Sequence, residues 1–151
     1  MLERGRKGVV LDRIMSDWPD YAGRAIEPLA RDAIERLLPD PRFGDALFYG
    51  AYWNRVGDVE VDLIGVADTD RIDRLAFAGS IKWRQRQSFD RRAFQSLAAT
   101  AARVPGFGAT TLLVGVSKAG FTAPDLDIAL GPSDLLAASC GSPEVVPEAP
   151  T

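Results

Sequence analysis

The sequence predicts an α/β domain whose central mixed sheet of four to five strands is flanked by helices. Three observations predict this class. A helical apolar pattern precedes three strand-like runs, which are separated by short polar turns. A second helical pattern follows, and a strongly apolar, β-branched run comes after it. Because strands joined through a helix are usually parallel, the last strand should join an antiparallel set of three through a crossover.

Two helical patterns precede the strands. Val9–Trp18 is apolar at helical spacing but short, and Pro19 ends it. A stronger helix is predicted from Tyr21 or Ala22 to Leu38, where the next residue is Pro39. Its apolar stripe consists of Ile26, Ala30, Ala33, Ile34 and Leu37.

Strand-like runs and shorter elements make up the rest of the chain. The first three runs are Ala46–Val56, Asp58–Ala67 and Leu75–Arg84. A helix is then expected over Asp90–Val104 with Asp90 as its cap, followed by a strand over Thr110–Ser117. The last predicted elements are a short strand at Leu126–Leu130, a short helix capped by Ser133 and a disordered, proline-containing tail at 141–151.

Length and composition limit the possible functions. The 151 residues suffice for one domain, and the chain contains one cysteine and no histidine. Zinc sites and histidine-dependent catalysis are therefore not expected. We expect a cytoplasmic protein without a membrane segment, because neither a secretion signal nor an apolar run of about 20 residues is present. The net charge of −3 argues against DNA binding by the whole surface, but a local basic patch can still bind it.

The second and third predicted strands carry the pattern with the clearest chemistry. Successive side chains of a strand alternate between faces, so Glu60 and Asp62 should share one face. The opposite face would carry Val59, Val61 and Leu63. Ser80 and Lys82 should likewise share a face of the next strand. If the two strands pair, carboxylates and an ammonium group meet in an arrangement suited to a divalent cation and a phosphate.

Four arginines follow the lysine strand and form a second candidate site. They are Arg84, Arg86, Arg91 and Arg92, and they are interleaved with Trp83 and Phe89. Arginines beside aromatic residues are typical of contacts with a phosphate backbone. A solvated loop and the first turn of a helix would give the same pattern, so both interpretations stay open.

A helical glutamate, a strand aspartate and a strand lysine in this order resemble the PD-(D/E)XK nuclease superfamily, which has the restriction-endonuclease-like fold. More narrowly, three stretches are similar to a domain of unknown function found at the C-terminus of archaeal-type AAA ATPases. They are YAGRAIE at 21–27, VEVDLI at 59–64 and GSIKWR at 79–84. The resemblance covers roughly residues 17–138. It implies a nuclease-like domain at 19–140 that follows an N-terminal helix or linker remnant at 1–18.

The resemblance also implies roles for individual residues. Asp62 takes the place of the first metal-binding acid, Lys82 that of the motif lysine, and Glu27 that of the supporting acid on the first helix. Two residues before the lysine, where the superfamily usually has an acid, this chain has Ser80. A strong ligand for Mg²⁺ or Mn²⁺ is therefore missing, although Glu60 can compensate for it.

Three functional hypotheses follow from this departure. The first is a nuclease-like domain with a degenerate metal site that serves as an accessory or DNA-binding module. The second is an active endonuclease in which Glu60 and Asp62 bind Mg²⁺ or Mn²⁺ and Lys82 assists. The third is a structural domain that forms a homo-oligomer. ATP binding is not expected, because the phosphate-binding loop of the ATPases does not occur in the sequence.

Overall fold

A computed structural model describes residues 25–140. The predicted linker helix at 1–18, the start of the first long helix and the tail at 141–151 lie outside the described residues. No helix within 25–140 has the length and apolar character needed to cross a membrane.

The described chain has the predicted order of elements. They are α1 at 25–37, a 3₁₀ turn at Pro41–Phe43, β1 at Phe48–Trp53, β2 at Glu60–Val66, β3 at Phe77–Lys82, α2 at Arg91–Ala101, β4 at Leu112–Ser117, β5 at Ile128–Leu130 and α3 at Pro132–Cys140. The predicted strands begin two residues before the observed ones, and the first three also end one to three residues after them.

All five strands form one mixed sheet in the order β1-β2-β3-β4-β5. The pairs β1–β2 and β2–β3 are antiparallel, as expected for strands joined by short turns. The chain then crosses over through α2, and β4 pairs with β3 in the parallel direction. Strand β5 extends the parallel part. The α/β class and the mixed sheet flanked by helices are therefore confirmed.

The helices cover both faces of the sheet. Ala30, Ala33 and Ile34 of α1 are fully buried in one apolar cluster, which also contains Leu135 of α3. Leu97 of α2 belongs to a second cluster. Helices α1 and α3 thus lie on one face of the sheet and α2 lies on the other, so any site beneath α2 is separated from α1 by the sheet.

Local capping explains where the two later helices begin. The carboxylate of Asp90 accepts a hydrogen bond from the Ala93 amide at 2.8 Å, which confirms the predicted cap of α2. The predicted cap at Ser133 is wrong, because α3 already begins at Pro132. There the Asp134 carboxylate accepts from the Gly131 amide at 2.8 Å. Proline suits the first helical position, since its missing N–H would have no helical partner there.

Candidate nucleic-acid interface

One irregularity in the β1–β2 pairing determines which side chains reach the α2 face. Gly50 pairs with Ile64, and Tyr52 pairs with Val61. Two steps along β1 thus match three steps along β2, which places a β-bulge with its extra residue in β2. Alternation changes across this bulge, because Val61 packs into the cluster beneath α2 whereas Leu63 packs into the cluster beneath α1.

The two acids of β2 lie at the end of the strand beside the bulge. Glu60 lies between Val59 and Val61, which both pack on the α2 side, and it is exposed. Asp62 instead bonds to Ser80 on the neighbouring strand. Glu60 and Asp62 nevertheless line the same cavity beneath α2. The predicted common face of Val59, Val61 and Leu63 is wrong, because the bulge between Val61 and Ile64 places Leu63 in the other cluster.

The Asp62 carboxylate is held by two protein donors. Its Oδ2 atom accepts from the Ser80 hydroxyl at 3.0 Å and from the Ile81 amide at 2.8 Å. The last Cα pair of the β2–β3 ladder at this end is Leu63–Gly79. Beyond it, the Asp62 side chain supplies the acceptor for the Ile81 amide. Asp62 therefore completes the hydrogen bonding where the two strands separate.

A cavity of about 220 Å³ lies between this end of the strands and α2. Its polar lining consists of Glu60, Asp62, Ser80, Lys82, Ser96 and Thr100. The structure thus brings Glu60, Asp62 and Lys82 to one cavity. Lys82 nevertheless forms no ion pair with any acid between residues 25 and 140.

Glu27 lies elsewhere, on α1 and across the sheet from this cavity. Its carboxylate is 3.6 Å from the guanidinium of Arg31. The Nε atom of Arg31 in turn donates to the backbone carbonyl of Asp62 at 3.3 Å. Glu27 is therefore linked to Asp62 through Arg31 and the backbone, but it does not line the cavity.

The donor set does not fit a tightly bound Mg²⁺ or Mn²⁺ ion. Mg²⁺ requires near-octahedral oxygen ligands, usually including one or two carboxylates. One Asp62 oxygen already accepts two hydrogen bonds, and Glu60, which lines the same cavity, is exposed to solvent. Within the described part of the chain, no three acidic, cysteine or histidine side chains form a group able to hold a metal. Two carboxylates, one of them with an oxygen already committed, make a weak site.

A second cavity, of about 270 Å³, adjoins the first and is lined in part by the same residues, Lys82, Ala93 and Ser96. Its other lining residues are Arg84, Gln87, Ser88, Asp90 and Arg92. We call the two cavities together the cleft. The acidic half contains Asp62, the basic half contains Arg84 and Arg92, and Lys82 borders both.

The cations around the basic half have no acidic partners in the described residues. The ion pairs of the described residues all involve arginines outside the segment from Lys82 to Arg92, namely Arg31, Arg36, Arg42, Arg71, Arg74 and Arg103. Arg84, Arg86, Arg91 and Arg92 are exposed. Arg84 donates to the Gln87 side chain, which orients its guanidinium without neutralising it. Five positive charges are therefore available to an anionic partner.

An ion pair fixes the α2 wall of the cleft. Arg103, just after α2, bonds to Asp58 in the β1–β2 turn at 2.5 Å. The hydrogen bond from Arg103 lowers the pKa of Asp58, and a further one from Asn54 contributes. This contact ties the C-terminal end of α2 to the hairpin that carries the acidic half.

Sequence reasoning missed the hydroxyl groups that line the cleft. Ser96 and Thr100 lie one turn apart on α2, and Ser88 lies in the loop before it. The available signal was the spacing of Ser96 and Thr100, which puts both beside Leu97 on the face that packs on the sheet. Hydroxyl groups at such positions supply hydrogen bonds without adding charge.

The fold and cleft define an α/β protein with an exposed group of unpaired cations beside a carboxylate held by the protein. The model of DUF234, a family described as archaeal and bacterial proteins of unknown function, matches residues 1–94 of this chain. The match covers more than half of the 151 residues, and the chain belongs to this family. It includes β1, β2, β3 and the segment from Lys82 to Arg92. No curated protein and no solved structure matches the chain.

Proposed function

We propose that this protein is a nucleic-acid-binding accessory module built on a nuclease-like α/β core. The observation that carries the proposal is the group of five cations between Lys82 and Arg92, which have no acidic partner in the described residues. Three of the five line the basic half of the cleft. The resemblance to the PD-(D/E)XK superfamily and to the C-terminal domain of archaeal-type ATPases supports the same proposal.

A polyanion is the partner that this charge distribution favours. Unpaired arginines in one short segment can contact successive phosphates, and each contact releases counterions from the nucleic acid. The chain as a whole has a net charge of −3. The remaining surface therefore repels DNA, so attraction is confined to this segment and orients the protein on its partner.

Hydrolysis is not part of the proposal, because one of the two carboxylate oxygens of Asp62 is engaged by the protein itself. Both the Ser80 hydroxyl and the Ile81 amide would have to give up their shared carboxylate oxygen before it could serve a cation. The alternative of an active Mg²⁺- or Mn²⁺-dependent endonuclease has one observation in its favour, which is that Glu60, Asp62 and Lys82 border one cavity.

Binding of labelled DNA tests the proposal. Fluorescence anisotropy at low salt should show binding by the full chain and a loss of about tenfold or more for Arg84→Ala/Arg92→Ala, which removes two phosphate contacts. The matched control is Arg36→Ala/Arg71→Ala, which removes two exposed charges that lie away from the cleft and have acidic partners. Equal affinities for the two double variants would contradict the proposal.

Incubation of the same DNA with Mn²⁺ separates the remaining alternatives. We expect intact DNA, because the donor set is too weak to hold the ion. Cleavage that disappears in both Asp62→Ala and Lys82→Ala would instead establish the nuclease. Absence of both binding and cleavage at low salt would favour the structural or oligomerising role.

A further inference from the structure

We infer that the basic half of the cleft is a pocket for a terminal phosphate monoester, so that the protein recognises the phosphorylated end of a nucleic acid. This inference rests on the proposed function and names the part of the partner that the pocket accepts. It is drawn from the charge count of the basic half and from the position of the acidic half beside it.

The charges of the basic half match a monoester better than an internal phosphate. Lys82, Arg84 and Arg92 line one cavity of about 270 Å³. A phosphodiester within a chain carries one negative charge, whereas a phosphate monoester carries about 1.5 to 2 at pH 7 and offers three acceptor oxygens. Three cations can be satisfied together by such a dianionic group, and the bidentate geometry of arginine suits it well.

The uncharged donors of the pocket agree with a phosphate ligand. Ser88 and Ser96 line the cavity and can donate to phosphate oxygens. The one acid of the wall, Asp90, accepts from the Ala93 amide and caps α2, and its negative charge leaves the three cations with an excess that still matches a dianion. Among the described residues, the Asp90 carboxylate forms no ion pair with Lys82, Arg84 or Arg92.

The acidic half explains why the chain should end in this pocket. A strand continuing past Lys82 along the cleft would bring its next phosphate toward the Asp62 carboxylate, which forms no ion pair within residues 25–140. Repulsion between like charges in a half-buried cleft disfavours that path. A terminal phosphate held by Lys82 and Arg92 avoids it, because the rest of the nucleic acid leaves toward the exposed arginines.

Competition among short oligonucleotides of one sequence tests the inference. The set has a 5′-phosphate, a 3′-phosphate or hydroxyl groups at both ends, and each competes for the full chain with a labelled DNA. We expect one phosphorylated end to bind about tenfold more tightly than the unphosphorylated oligonucleotide, since it adds a charge-assisted contact. The phosphorylated oligonucleotide that binds more tightly shows whether the pocket accepts a 5′- or a 3′-phosphate.

Two single variants assign the preference to the cavity. Arg92 lines the pocket, whereas Arg86 belongs to the same segment but does not line it. Arg92→Ala should reduce the ratio between phosphorylated and unphosphorylated ends to about one, while Arg86→Ala should weaken both and keep the ratio. A ratio that survives Arg92→Ala, or that is lost in Arg86→Ala, would overturn the assignment.

The failure of this inference differs from the failure of the proposed function. Tight but equal binding of all three oligonucleotides would overturn end recognition and leave nucleic-acid binding standing. A phosphoserine peptide that competes when the phosphorylated ends show no advantage would likewise overturn it. No binding of any oligonucleotide at low salt would defeat both proposals together.

Discussion

Replacement of Asp62 distinguishes a structural carboxylate from a catalytic one, because the two roles predict stability changes of opposite sign. Residues kept for catalysis often cost stability, so their removal tends to stabilise a protein. Asp62 instead accepts hydrogen bonds from the Ser80 hydroxyl and the Ile81 amide. We therefore expect Asp62→Ala to be destabilising.

The magnitude follows from the two hydrogen bonds. A bond to a charged group contributes roughly 1.5–3 kcal/mol, and the half-buried position of Asp62 favours the lower end of this range. Asp62→Ala should then cost about 3 kcal/mol. Asp62→Asn retains an acceptor and should cost about 1 kcal/mol. Ser80→Ala removes one donor and should fall between these two variants.

Urea denaturation measures these differences directly. With a slope of about 1.5–2 kcal/mol per molar urea, Asp62→Ala should lower the midpoint by about 1.5–2 M. Asp70→Ala is the matched control, because Asp70 is exposed in the β2–β3 connection and its side chain bonds to none of the described residues. An unchanged or raised midpoint for Asp62→Ala would refute the structural role. The smaller effect of Asp62→Asn keeps the test decisive if the alanine variant fails to fold.

Three further substitutions test the account at other positions. Asp58→Asn should lower stability near pH 7, because the hydrogen bond from Arg103 lowers the pKa of Asp58 in the folded protein below its usual value of 3.8. Such a lowered pKa stabilises the protein above the unfolded pKa, and this stability is lost as the pH falls through the folded pKa. The urea midpoints of the parent and the variant should therefore converge in acid, and a pH-independent difference between them would contradict this. Ser117→Ala should be neutral or stabilising by about 1 kcal/mol in the same assay, since the hydroxyl is fully buried without a partner in the described residues; a clear loss would mean that the hydroxyl is bonded. Gly65→Ala should cost about 3 kcal/mol or more by calorimetric or urea unfolding, because its Cβ would overlap the buried ring of Phe77; a well-folded variant of ordinary stability would contradict that packing.

Periodicity was enough to predict the sheet and its helices. The stripe through Ala30, Ala33 and Ile34 predicted the buried face of α1, and the apolar run at Thr110–Ser117 predicted β4. These predictions succeed because burial of a repeating apolar face dominates local structure. The N-terminal cap of α2 could also be predicted from Asp90, since capping depends only on residues about three positions away.

The geometry of the site depended on long-range pairing and could be predicted only in part. Alternation alone placed Val59, Val61 and Leu63 on one face, but a bulge opposite Ala51 puts Leu63 into the other cluster. Nothing in the sequence of β2 marks this bulge, because it arises from the register with β1. Likewise, the position of Glu27 depends on which face of the sheet α1 covers. That choice is made by the complete core rather than by the helix.

The salt dependence of DNA affinity tests the central claim most directly, because it counts the cations that contact phosphate. The logarithm of affinity should fall with the logarithm of salt concentration at a slope of about −0.9 per contact on duplex DNA. With three to five contacts from the segment between Lys82 and Arg92, we expect a slope of about −3 to −4.5. Arg84→Ala/Arg92→Ala should reduce its magnitude by about 1.8. A slope that is the same in the parent and in this double variant would contradict the claim that the cleft binds nucleic acid.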